Sequence, residues 1–129
     1  SMAASAVSSL PAVRRFLFDL QRDLAKTNNV VMDGRDIGTV VLPDAQVKIF
    51  LTASAEVRAQ RRFQELREKG ESVSYDEVLA DMKKRDYDDS HRAAAPLKAA
   101  ADAVKVDTSS MDLEQAVAAI RAVIRKALA

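Results

Sequence analysis

The sequence has no cysteine and no tryptophan, a single histidine, three glycines and three prolines among its 129 residues. Without cysteine there is no disulfide framework and no thiolate metal site, which suits a reducing cytosol. One histidine, His91, cannot build a zinc site of several imidazoles. No apolar run approaches the roughly 20 residues that span a bilayer. The first residues, Ser1-Met2-Ala3-Ala4-Ser5, carry neither the basic nor the apolar region of a signal peptide, so none is expected. Charge of one sign is also lacking: 20 Lys and Arg stand against 19 Asp and Glu, a net +1. No global field therefore draws the chain to nucleic acid or to a membrane. Nor does the phosphate-loop pattern G-x-x-x-x-G-K-[ST] occur; Gly34, Gly38 and Gly70 all sit in other contexts.

What is present is ordinary for a soluble globular chain, with 48% apolar and 30% charged residues. The length allows one domain with a modest core. Three short runs read as buried parallel strands: Val30-Val31-Met32, Val47-Lys48-Ile49-Phe50-Leu51 and Ala103-Val104-Lys105-Val106. Helical patterns lie around them. Pro11 opens one that runs to about Lys26, with Val13, Phe16, Leu17, Leu20 and Leu24 on one face. Ser54 caps a second that runs to Lys69 and stops at Gly70. Ser74 with Glu77 is a capping-box signature for a third, in a region that Pro96 closes. The last starts near Asp112 and turns Leu113, Val117, Ile120 and Ile124 inward. Strands alternating with helices predict an α/β fold with a parallel sheet.

Four constellations could carry chemistry. The first is Asp33-Gly34-Arg35-Asp36 after the run Val30–Met32. An apolar strand ending in Asp would set a carboxylate at the carboxyl edge of the sheet, where open α/β folds bind ligands. There Asp33 could face hydrated Mg²⁺, Arg35 could fork a phosphate and Asp36 could accept from an amino group. A plain Asp-Gly turn satisfying its own backbone explains the same residues. The second is the charged run from Lys83 to Arg92, in which Arg85, Asp89 and Arg92 share one helical face. Two guanidinium groups with an acid between them suit a polyanion that carries sugar hydroxyls. A solvated helix laced by Asp81–Arg85, Arg85–Asp89 and Asp88–Arg92 pairs suits the run equally. His91 has no partner placed beside it and reads as a surface residue. The third is Arg58, Arg61 and Arg62, which could meet ATP phosphates or adenine, or form an exposed face with Arg61–Glu65 and Glu65–Lys69 pairs. The fourth, Ser5 with Arg14, means nothing by itself.

Taken in order, the segments resemble bacterial-type cytidylate kinase, a nucleoside monophosphate kinase family. The resemblance covers nearly the whole chain. It rests on Ala4-Ser5-x-Val7 with Pro11-x-Val13-Arg14, and on Asp33-Gly34-Arg35-Asp36-Ile37-Gly38-Thr39-Val40-Val41-x-Pro43-Asp44-Ala45. It continues through Val47–Ser54, Arg85-Asp86 to Arg92-Ala93-x-Ala95-Pro96-Leu97, and Asp102-Ala103 leading to Asp107-Thr108. The resemblance implies an incomplete P-loop kinase core, a single partial domain over 1–129 with a helical lid at about 70–96. It also implies cytoplasmic phosphoryl transfer from ATP, with Mg²⁺, to CMP or dCMP, a step of pyrimidine nucleotide metabolism. By the same resemblance Ser5, Arg14 and Asp36 would read cytosine, Arg35 would meet the monophosphate and Asp89 the ribose. Arg85 and Arg92 would reach the phosphates from the lid, Asp33 would lie near Mg²⁺ through water, and Arg61 near ATP.

The departure is the missing phosphate loop. In the family the first strand, that loop and the second strand would precede residue 1, and the first strand would lie between those matching Val30–Met32 and Val47–Leu51. The sheet would then lack its middle. Three outcomes are expected: direct pairing of those two strands, completion by the missing segment or another chain, or a loosened core. The chain alone is expected to be inactive. Two other readings stay open: a non-catalytic nucleotide-binding or interaction module, and a scaffold whose charges are all solvated.

Overall fold

The computed structural model describes residues 2–91 and 97–129, apart from the side chains of Met2 and Ser5. The chain starts with a short helix α1 (Met2–Ser8) and the long α2 (Pro11–Thr27). Pro11 occupies the first turn of α2, where its missing N–H costs nothing. Asn28 closes α2 by donating its amide to the Leu24 carbonyl, 3.1 Å away.

A loop with a π-helical turn over Ile37–Val41 leads to strand β1 (Ile49–Thr52). Helices α3 (Ala55–Glu68) and α4 (Tyr75–Ser90) follow, then strand β2 (Val104–Asp107) and α5 (Leu113–Leu128). The helix starts follow from their caps. Ser54 accepts from the Val57 N–H, and the Ser74–Glu77 and Asp112–Gln115 boxes are both closed reciprocally. Gly70, at φ +82°, turns the chain out of α3 in a conformation that a side chain would strain.

The two strands pair in parallel, with Ile49 opposite Val104 and Thr52 opposite Asp107. The ladder extends at both ends, from the Val104 N–H to the Lys48 carbonyl and from the Thr108 N–H to the Thr52 carbonyl. In a parallel ladder alternate residues face alternate edges, so Ile49 and Leu51 turn their main-chain groups away from β2. No strand of the described residues pairs with that edge.

Two expectations are corrected. Val30–Met32 is not a strand: it is irregular, and Val31 is fully exposed. The sheet therefore has two strands rather than three, and direct pairing of Val30–Met32 with β1 does not occur. A run of three apolar residues becomes a strand only where a ladder partner exists, and none adjoins this one. The apolar faces of α2 and α5 are also not turned into a core. Neither helix has a buried residue, and Phe16 (69% exposed) and Leu113 (80%) lie open. The core consists of Val41, Ala53, Ala59, Val78 and Val106. Ala59 and Val78 sit where α3 packs against α4, with small Ala59 allowing close approach and Phe63 meeting Tyr75 edge to face.

Candidate functional site

The loop after α2 carries Asp33, Gly34, Arg35 and Asp36, and the π-turn that starts at Ile37 fixes it. The Val40 and Val41 N–H groups both donate to the Asp36 carbonyl, and the Leu42 N–H reaches the Ile37 carbonyl. Wide turns of this kind re-aim side chains and recur at functional sites. A Cβ on Gly34 would lie 2.9 Å from the Ile37 Cγ1, so any side chain here would force Ile37 to shift.

Arg14 projects from α2 to this loop. Its Nη2 donates to the Asp36 Oδ2 at 2.5 Å, and Asp36 is buried. A buried carboxylate must be paired, and this pair meets that requirement. Between α2 and the loop lies a cavity of about 290 Å³, the scale of a small-ligand site. Arg14, Asp36, Asp33 and Arg35 line it, with Leu17 and Phe18 as apolar wall. Gln21, two turns beyond Arg14 on α2, also lines it; a lone polar residue on an otherwise mixed helix gave no sequence signal.

The loop also contacts α4. Arg35 Nη1 donates to Asp89 Oδ1 at 3.3 Å, across 54 residues of sequence, with both side chains about three-tenths exposed. A smaller cavity of about 140 Å³ separates Asp33–Arg35 from the segment Val47–Phe50. Asp33 lines both cavities. It stands beside the amino-terminal half of β1, not at the carboxyl end of a strand, because the strand expected to carry it does not form.

Other candidates lie apart. Arg85 is exposed and makes no ion pair or hydrogen bond among the described residues. Arg61 sits at the carboxyl edge of the sheet, where its guanidinium donates to the Thr108 hydroxyl and carbonyl and to the Met111 carbonyl. It thereby tethers the loop after β2 instead of pairing with Glu65. Arg92, and with it the Asp88–Arg92 pair and the Pro96 stop, lies outside the described residues, as does the side chain of Ser5. The Asp81–Arg85 and Arg85–Asp89 pairs do not form. Hydrogen bonds from Lys69 and Arg62 lower the Glu65 carboxyl from its ordinary value. His91 stacks on Tyr87 with ring centroids 4.1 Å apart, an exposed arrangement.

The sequence missed one strong contact. Arg58 forks Asp86 with two bonds of 2.8 and 2.6 Å and donates Nε–H to the Ala53 carbonyl. The hydrogen bond to Asp86 raises the Arg58 pKa further above its ordinary value. These residues are 28 apart on two helices, and no periodicity within either helix could signal the meeting. Asp102 is pulled below its ordinary value by its hydrogen bond from Lys48, whose side chain is almost wholly buried and also donates to the Pro43 carbonyl.

The arrangement is that of an α/β protein with a charged, half-open cleft of small-ligand size, built from a helix and a glycine-containing acidic loop. The sequence profile described as cytidylate kinase matches residues 1–126. A cytidylate kinase of Rhodospirillum rubrum is 58% identical over 122 residues, covering 91% of this chain and 57% of the relative. Those of Azorhizobium caulinodans and Caulobacter sp. are each 54% identical, over 97% and 98% of this chain and 61% and 59% of theirs. The chain belongs to the cytidylate kinase family. It spans about three-fifths of the length of these relatives, 57% to 61%.

Proposed function

We propose that the protein carrying this chain transfers a phosphoryl group from ATP to CMP or dCMP, and that residues 1–129 supply the acceptor site and lid as one partial domain. The observation that carries this reading is one loop that meets Arg14 through Asp36 inside the cleft and meets Asp89 on α4 through the cleft-lining Arg35. Arg14 and Asp36 together offer donors and an acceptor, the complement of a cytosine edge. Ser5, on α1, would complete that reading. Arg35 is a fork for the monophosphate, and Asp89, acceptor-only when ionised, suits ribose hydroxyls. In this reading the nucleotide separates Arg35 from Asp89 and gives each a better partner. Arg85, exposed on α4, and Arg92 would then reach the transferring phosphoryl and stabilise its charge. Arg61, at the carboxyl edge of the sheet, is the candidate for contact with ATP.

Mg²⁺ would arrive with ATP. No group of three or more acidic or histidine side chains among the described residues could hold a metal alone. The single exposed carboxylate of Asp33 fits an ion that brings its own phosphate and water ligands. Bound there, the ion would neutralise charge on the phosphates. The chain's own groups orient CMP, pair its phosphate and exclude water as the lid closes.

The sequence contains no G-x-x-x-x-G-K-[ST] pattern of the kind that cradles ATP phosphates. The edge of β1 at Ile49 and Leu51, which no strand of the described residues pairs, supports completion of the sheet by an upstream segment or another chain, as do the open apolar faces of α2 and α5. We therefore expect no ATP-to-CMP transfer by residues 1–129 alone; robust transfer free of contaminating kinase would refute this. We place the reaction in the cytoplasm, with no nucleic-acid or membrane partner; the net charge of +1 offers no global field toward either.

Calorimetric titration with CMP, with AMP as control, tests the acceptor site. Selective CMP binding supports the assignments. Equal binding of AMP, or saturable CMP binding unaffected by Arg14→Met and Asp36→Asn, would remove the cytosine-reading roles.

A further inference from the structure

α4 is held by two arginines from two different elements. Arg35 reaches Asp89 from the loop, at 3.3 Å, and Arg58 reaches Asp86 from α3, with bonds of 2.8 and 2.6 Å. Asp86 and Asp89 are three residues apart, so they lie on one helical face. The two contacts differ in kind. The first is long and single. The second is a bidentate fork, short in both arms, and its arginine is fixed at the root by the Nε–H bond to the Ala53 carbonyl at the end of β1. Planar forks of this kind set direction as well as distance. The side chains are only a third exposed, 33% and 38%. An ideal bidentate pair is the exception to the rule that exposed ion pairs do little.

We propose that Arg58 is a positioning residue for nucleotide binding: through Asp86 it sets the position of α4 on α3 so that Asp89 stands at the acceptor cleft. This rests on the reading of Asp89 as the sugar-binding group. Binding of a nucleotide would take Arg35 from Asp89, and the hold of the loop on α4 would go with it. The Arg58 fork does not share that fate, because it ties α4 to α3 and to the Ala53 carbonyl and not to the loop that carries Arg35. It therefore keeps the helix in place while Asp89 changes partners. Arg58 itself touches no ligand in this scheme. Lys83 and Glu56, 3.9 Å apart and about 60% exposed, also join α3 to α4, but a contact so long and so solvated cannot fix a direction.

The test is calorimetric titration of CMP into the complete polypeptide that contains residues 1–129. The wild type is compared with Arg58→Ala, Asp86→Asn, Asp89→Asn, Asp36→Asn and the double variants of Arg58→Ala with each of the last two. Arg58→Ala is expected to weaken CMP binding about tenfold, the scale on which a displaced binding group acts. Added to Asp89→Asn it should cost no more than about twofold further, because the group it positions is already disabled. Added to Asp36→Asn it should keep its full effect. A general loss of fold would spoil both cycles alike, so the asymmetry separates positioning from mere stability. Asp86→Asn, close to isosteric, breaks the same fork from the other side and carries the test if Arg58→Ala does not fold. Wild-type affinity in Arg58→Ala and Asp86→Asn, or full additivity with Asp89→Asn, overturns the inference while leaving the nucleotide reading intact. Unchanged binding in Asp89→Asn, or none in the wild type, fails the nucleotide reading and takes this inference with it.

Discussion

Replacing Arg14 with methionine would leave the Asp36 carboxylate without the guanidinium that now lies 2.5 Å away. Asp36 is 8% exposed, so water cannot fully replace the lost partner. Stranding a wholly buried charge costs about 3–5 kcal/mol. The Arg14 side chain is 25% exposed along the cleft, and that opening lets some water reach the acid. A loss of about 2 kcal/mol is the resulting expectation. For a chain of this length that corresponds to a fall in Tm of roughly 7 °C. The assay is urea denaturation followed by far-UV circular dichroism, on the wild type, Arg14→Met, Asp36→Asn and the double variant. With Asp36 already neutral, Arg14→Met should cost only the packing of its stem, about 0.5 kcal/mol. The coupling should thus exceed about 1 kcal/mol. A coupling below about 0.5 kcal/mol would refute the reasoning, since it would put this pair on the footing of the exposed Lys26–Asp23 contact.

Two further outcomes follow from the local chemistry. Ser74→Ala and Asp112→Ala each open a closed capping box and should cost about 1 kcal/mol in the same assay; no change in either would mean the helix starts are held by packing alone. The Asp102 carboxyl, depressed by Lys48, is deprotonated in the folded chain at pH values where the unfolded chain already binds the proton. Its contribution is therefore complete above the ordinary value of 3.8 and is lost as pH falls through the lower folded value. Lys48→Met should flatten the decline in urea midpoint below pH 3.8, and an unaltered slope there would remove this carboxyl from the acid response.

Local information was enough wherever the determinant is local. Ser54, Ser74 and Asp112 cap their helices as their side chains dictate, and Gly70 stops α3 because it alone tolerates the conformation that turns the chain. The runs at Val47–Leu51 and Ala103–Val106 become β1 and β2, shifted by one or two residues toward the carboxyl side. The acidic loop at Asp33–Asp36 was visible as a cluster, although its role as a strand end was not realised.

Partner choice needed the fold. Arg85 had an acid one turn on either side, yet neither ion pair formed, and Arg61 left Glu65 for the carbonyls that follow β2. Arg58 found Asp86 on another helix, and Arg35 found Asp89 across 54 residues. An exposed pair within one helix is worth only about 0.3–0.5 kcal/mol, so any better-desolvated partner outcompetes it. The same holds for Val30–Met32 and the faces of α2 and α5. Their apolar pattern is written in the sequence, but burial requires an opposing surface. The amino-acid sequence by itself determined the starts of α2, α3, α4 and α5, the stop of α3 at Gly70, the apolar stripes and the family, whereas the short α1 gave no signal that was read. Only the tertiary structure decided which charges meet and which stripes stay open, because both depend on surfaces brought together from distant parts of the chain.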